Sequence, residues 1–574
     1  KVNCNNLIQS YYNKKGVEMK KKIYCLTVFS LCFIIPSSLN AQIKPFEFRS
    51  NYENIKINDD TTTELQNEEQ IVMNPKDTTN LVAVWRDFRL GYRQVAYGYS
   101  FDGGLTWNQD LFVEPQYIWD SDPGLTVDTA GNFYAVILSY TGSTYEPNGL
   151  FVFKSTNGGM SWGDPATVIN GVPGVFEDKE LIACDRSGGP YTDNLYVAWA
   201  RFYSTQILMC RSTDGGNSFV DPVTVSDSYG VQWPVPCVGP NSEVYVAWVH
   251  YSPSSIRFDR STDGGQTFGS DITIQNASFI SGFINGGIMV FSFPAMDVDI
   301  TGGPYNGNIY VAYMDDAPGY TDTDIYFTRS TNNGNTWNQK TRINDDPLNN
   351  GCDQFHPWLT VAQDGSIIVV FLDRRLDSGN LFMDLYMTTS TNGGNTWSEN
   401  ERITTVSSDP TAGLKFTPLC QATNKFPIKI DQPLILAGRA GLLGEYIGVT
   451  SSSIDDIHPI WTDTRLGNQD VFTGVRIPPS VEEKISQRIH KEVIILYPEP
   501  FVKNVRVDFS LSERKNIEFS LYDICGREVI SGKLHTEHKR GSFVLNGKDL
   551  PQGTYFLHLK TTNFLKSFTL HKLR

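Results

Sequence analysis

Three aspartate–arginine steps carry the side chains best suited to chemistry: Asp87/Arg89, Asp373/Arg375 and Asp463/Arg465. Guanidinium forks bind carboxylates through two parallel hydrogen bonds. Arg89, Arg375 and Arg465 converging on one spot would therefore grip an anionic ligand, with Asp373 and Asp463 beside them. A carboxylate such as Asp87 could serve as general acid or base. The same residues also admit a structural role, in which each aspartate orients its own arginine or caps a loop. Further polar side chains begin apolar runs elsewhere: Glu68-Glu69, Asp122, Asp178-Lys179, His356 and Glu445-Tyr446. Asp178 and His356 join the candidate ligand contacts, although His356 also reads simply as a loop histidine.

Both groups sit at fixed places in a repeat. A strand-like run ends in each step, as in LVAVWRD at 81, IIVVFLDR at 367 and HPIWTDTR at 458, and it occurs seven times. Another run precedes it seven times, as in EQIVMNP at 69 and HPWLTVA at 356. A third run leads into an eight-residue turn, STNGGNTW at 390, which recurs in varied form at 100, 155, 212, 261 and 330. Four short strands per unit, repeated at roughly 50–70 residues, predict an all-β chain built as a β-propeller. Seven blades are expected, with six the alternative, and the strand around Asn54–Asn58 is expected to close the ring. Strands joined by turns alternate in direction, so the D-x-R steps and the turns fall on opposite faces.

The turn accounts for its own residues. Glycine supplies backbone angles barred to other residues. Asp102, Asn157, Asp214, Asp263, Asn332 and Asn392 can bond nearby backbone N–H groups. Asparagine stands for aspartate at three of the six, which a hydrogen-bonded turn tolerates and an acid catalyst or calcium site would not. These six are expected to be structural, and neither a metal nor a cofactor is expected.

The six turns resemble the Asp-box, S-x-D-x-G-x-T-W, of sialidase-like propellers (bacterial neuraminidase repeats), over about residues 50–478. The resemblance implies turns on the face away from the active site. It also implies a tyrosine nucleophile, for which Tyr446 beside Glu445 is the candidate. The family's R-I-P arginine motif is absent before the first turn; Arg476-Ile477-Pro478 has those letters at the ring's last strand. That weighs the expectation toward a glycan- or protein-binding propeller, with an exo-acting, exo-α-sialidase-like glycoside hydrolase as the alternative.

The ends read as addresses. Residues 1–18 precede the expected start at Met19 and are set aside. Met19 is followed by three lysines and an apolar run to Pro36, a secretory signal peptide over 19–41. Residues 42–478 hold the propeller and 479–495 a charged linker. From 496 to 574, VRVDFSL, IEFSLYD, LYDICGREV and LPQGTYFLHL resemble the C-terminal sorting domain (type A) of the type IX secretion system, read as a small β-sandwich. The resemblance implies a translocon and a sortase-like processing enzyme as partners, and the surface or medium of a Gram-negative, Bacteroidetes-type cell as destination. A net charge of −15 argues against nucleic acid as the main partner. The expected mature chain has no transmembrane span. Its six cysteines show no CxxC and no zinc spacing; Cys352 and Cys420 lie in long loops where an exported chain could pair them. Long inserts are expected at roughly 269–292 and 404–443.

Overall fold

The protein is seen here as a computed structural model that describes residues 50–113, 116–141, 147–202, 205–278, 281–316, 322–412, 443–477, 493–497, 501, 503–510, 516–524, 526–535, 540–560 and 565–573. The expected signal peptide and most of the 404–443 insert lie outside them.

Seven four-stranded antiparallel sheets form the propeller. Blade one comprises Gln66–Asn74, Asp77–Asp87, Gln94–Ser100 and Asn108–Leu111, in that order from the innermost strand outward. Blades two to six follow the same order, beginning with innermost strands Trp119–Val127, Phe176–Cys184, Val231–Val238, Ala295–Val298 and Gln354–Val361. Blade seven takes Gly448–Ser453, Asp456–Asp463 and Asp470–Arg476 from one end of the propeller and Tyr52–Lys56 from the other. Tyr52 pairs with Arg476 and Lys56 with Phe472, so the ring closes by hydrogen bonds between strands more than 400 residues apart and leaves no blade unpaired at the seam.

The second strands are buried over long central runs, as in Leu81–Trp85 and Ile367–Phe371. Such runs are apolar throughout because both faces pack against neighbouring blades. The first insert proves to hold regular structure: Ile272–Asn276 is the outermost strand of blade four, and Ser281–Ile284 pairs with Ile288–Phe291 as a hairpin. Its glycine- and phenylalanine-rich composition hid that alternation. Cys352 is a buried free thiol, while Cys420 lies outside the described residues.

The C-terminal region has a three-stranded sheet (Val493–Tyr497, Asn504–Ser510, Arg540–Asn546) and a four-stranded one (Glu528–His535, Asn516–Asp523, Gly553–Lys560, Leu565–Lys572). Phe501, Val505, Ile517, Leu545 and Leu557 are buried between them. No helix among the described residues is long and apolar enough to cross a membrane.

Candidate functional site

Five of the seven innermost strands share a device that strand periodicity does not reveal. In blade one, three steps from Asn67 to Gln70 face two steps from Arg86 to Val84. The same extra residue recurs at Ser121–Gly124, Asp178–Leu181, Gln232–Val235 and Phe355–Trp358. Each is a β-bulge, which re-aims side chains. Each places a non-glycine residue in the left-handed region: Glu68 (φ 59°), Asp122 (53°), Lys179 (58°), Trp233 (65°) and His356 (47°). Such angles cost on the order of 1–3 kcal/mol each and persist only where the surroundings enforce them. Pro123, Pro234 and Pro357 directly follow three of the bulge residues. Proline within a central strand belongs at a bulge, so this was the available sequence signal.

The bulges gather their side chains at one mouth of the central channel. On one side Arg86 pairs with Glu68 at 2.8 Å, and Lys179 pairs with Asp122 at 2.6 Å and with Glu445. Gln232 donates to Asp178 at 3.0 Å. On the other side Trp233, Phe293, Trp358 and Tyr446 pack ring to ring, with centroids 5.0–6.2 Å apart. The Lys179 ammonium lies 5.0 Å from the Trp233 ring centre and joins the halves. The Tyr446 hydroxyl donates to the Pro123 carbonyl oxygen at 3.0 Å. Glu68, Asp122, Asp178, His356, Glu445 and Tyr446 are all buried, so this mouth is plugged.

Burial dominates the protonation of the plug. It raises the Glu68 carboxyl well above the usual range, although Arg86 opposes it. It pushes Asp178 up to about 7, opposed by Lys179 and assisted by Asp122 and Glu445. Burial also pushes Glu69 up to about 8, although Thr462 donates to it at 2.6 Å. Asp122 goes the other way: burial would raise it, but Lys179 and Arg86 outweigh burial and hold it down. Burial and then Arg374 lower His356 to about 3, so its ring is neutral. Burial raises the Tyr446 phenol, and the nearby Glu68 and Asp122 carboxylates add to this.

The D-x-R residues lie elsewhere, and the structure does not bring Arg89, Arg375 and Arg465 to one spot. Each binds its own aspartate: Arg89 to Asp87 at 2.7 Å, Arg375 to Asp373 at 2.7 Å and Arg465 to Asp463 at 2.6 Å. Their remaining donors reach the blade edges. Arg89 donates to Gln109 of an outermost strand, Arg375 to Asn400 just before one, and Arg465 to Asn54 of the ring-closing strand. Trp85 and Trp461 also donate their indole N–H to Asp87 and Asp463. Blade three completes the same triangle differently, with Trp199 and Arg201 both on Glu177 from the innermost strand. The arginine follows the strand's end, so strand alternation could not give its direction.

On the opposite face each turn is a closed hydrogen-bond unit. Ser100 accepts from the Gly104 N–H and donates to Asp102, and Asp102 accepts from both the N–H and the hydroxyl of Thr106. At Asn157, Asn332 and Asn392 the last bond reverses: the amide donates to the hydroxyl of Ser161, Thr336 or Thr396 at 2.7–2.9 Å. That reversal is why asparagine and aspartate interchange here. The basic residue before the turn's serine clasps the next blade: Lys154 bonds the Gly215 carbonyl, Arg211 that of Gly265, and Arg260 and Arg329 reach Asn335 and Asn395. The described residues contain no group of histidine, cysteine and carboxylate side chains placed to hold a metal ion.

Residues 495–570 match the family of secretion system C-terminal sorting domains. No curated protein matches the chain in sequence. Among solved structures, a protein of unknown function from Dyadobacter fermentans is similar at 14% identity, over 56% of this chain and 94% of that one, with a TM-score of 0.38. The leech intramolecular trans-sialidase is similar at 12% identity, over 62% and 70%, with a TM-score of 0.43. An α-L-arabinofuranosidase from Fusarium graminearum is similar at 13% identity, over 59% and 98%, with a TM-score of 0.40. At such values no activity passes from these proteins to this chain. The sorting domain marks the chain for secretion and implies engagement of the secretion machinery. The chain is thus a seven-bladed β-propeller followed by a secretion system C-terminal sorting domain.

Proposed function

We propose that the chain is an exported propeller that binds an extracellular glycan or protein without cleaving it, at the cell surface or in the medium. The observation that supports this reading most is the engagement of the expected catalytic groups within the protein. The Tyr446 hydroxyl is committed to the Pro123 carbonyl, and each candidate arginine is committed to its own aspartate. Export proceeds through a type IX translocon, and a sortase-like enzyme removes the tail.

A second reading is an exo-acting, exo-α-sialidase-like glycoside hydrolase that cleaves terminal anionic sugars. Tyr446 would be the nucleophile, Glu445 its neighbour, Asp87 the acid/base, and Arg89, Arg375 and Arg465 the carboxylate grip. It draws support from the raised carboxyls Glu68 and Asp178 in the plug, since strongly shifted groups cluster at functional sites. Incubation of the exported protein with a fluorogenic sialoside and arabinofuranoside, beside a glycan array, separates the two. Binding without turnover is expected. Turnover that Arg375→Ala abolishes would overturn the binding reading.

A further inference from the structure

Below the plug the central channel continues as a cavity of about 460 Å³, within the range of roughly 300–1,000 Å³ common for small-molecule sites. Pro75, Lys76, Arg186 and Gln363 surround its far end. These residues lie in or beside the connections from first to second strands, on the same face as the serine–glycine turns. The cavity is therefore blind at the plugged face and opens on the turn face.

Its wall combines two kinds of group that suit a sugar. Trp358, half-buried, lends an aromatic surface, and Thr126 and Thr360 lend hydroxyls. Asp297, also half-buried, is the carboxylate in the wall. Its position is fixed by the Val298 and Val361 N–H groups, each donating at 2.8 Å, with Thr360 at 3.4 Å. An ionised carboxylate offers about four acceptor positions, so Asp297 keeps capacity for hydroxyl donors. Burial raises its carboxyl, a penalty that ligand hydroxyl donors would offset.

We infer that this blind channel is a glycan-binding site that takes the neutral end of a sugar chain, which enters from the turn face, stacks on Trp358 and donates hydroxyls to Asp297. A carboxylate in the wall disfavours an anionic sugar at that depth. The inference rests on the binding reading and places the ligand on the face opposite the D-x-R steps.

Calorimetric titration of the exported protein with galactose, mannose, N-acetylglucosamine, lactose and 3′-sialyllactose tests it. At least one neutral sugar is expected to bind, with the affinity falling tenfold or more in Asp297→Asn. On the unaltered protein, saturating sugar is expected to slow methyl methanethiosulfonate labelling of Cys237, which lines the same cavity. That arm decides if Asp297→Asn does not fold. Sugar binding with no effect of Asp297→Asn and no protection of Cys237 overturns the channel site and leaves the binding reading standing. Tight binding of 3′-sialyllactose alone overturns the neutral-sugar inference. No binding to these sugars, to a glycan array or to a protein partner overturns both.

Discussion

The Tyr446 hydroxyl donates to the carbonyl of Pro123 at 3.0 Å, tying blade seven to blade two across the channel mouth. Tyr446→Phe removes one neutral buried hydrogen bond and leaves a carbonyl oxygen unpaired. A loss of about 1–2 kcal/mol is expected in urea unfolding, with ligand binding unchanged. A loss of binding with unchanged stability would count for a functional tyrosine.

Lys179 is the cation shared by Asp122 and Glu445, and it also lies against Trp233. Lys179→Met keeps most of the volume but leaves buried carboxylates without their partner. Breaking a buried pair this way costs about 3–5 kcal/mol. A similarly large drop in the urea midpoint is expected; a change below 1 kcal/mol would mean that the cluster is not held by this ammonium.

Asp178 at about 7 and Glu69 at about 8 both bind protons more tightly folded than unfolded. The folded state therefore holds more protons between the ordinary carboxyl range and those values, and stability must fall as pH rises through that window. Their contribution is complete below about pH 4 and lost by about pH 8. Asp178→Asn is expected to flatten part of the decline. Unfolding free energy measured from pH 4 to 9 checks this, and a decline of equal slope in the variant would refute the assignment.

In the turns, Asp102→Asn should be nearly neutral, because the amide can donate to the Thr106 hydroxyl as Asn332 does to Thr336. Ser100→Ala should cost more, about 1–2 kcal/mol, since the hydroxyl both accepts from Gly104 and donates to Asp102. Thermal unfolding of the two variants side by side tests the ranking.

Blade count and turn chemistry were legible because they rest on local rules: alternation, apolar second strands, and a turn whose serine and Asp/Asn bond within eight residues. The sequence also marks Glu68, Asp122, Lys179, His356 and Glu445 as polar residues that begin apolar runs. Their burial was not legible, because the bulges that turn them inward and the aromatic half of the plug arise from contacts between blades. Trp233 and Trp358 read as ordinary strand residues until Phe293 and Tyr446 meet them. The pairing of Arg89, Arg375 and Arg465 with the aspartate two residues earlier was legible as the structural alternative; their further partners Gln109, Asn400 and Asn54 are distant in sequence and were not. Asp297 gave no signal of a site, being one of two aspartates, with Asp299, in a short strand-like run.

The ring is closed by Tyr52–Lys56 against Asp470–Arg476, and the Ile477 N–H still reaches the Asn51 carbonyl at 2.8 Å. This pairing cannot form until the last blade exists as chain, and closing so long a loop is slow. Without that pairing the seventh blade lacks its outermost strand and presents an unsatisfied edge. The two ends of the propeller therefore act as one latch: a chain that lacks either Tyr52–Lys56 or Asp470–Arg476 would leave the seventh blade incomplete and the ring open.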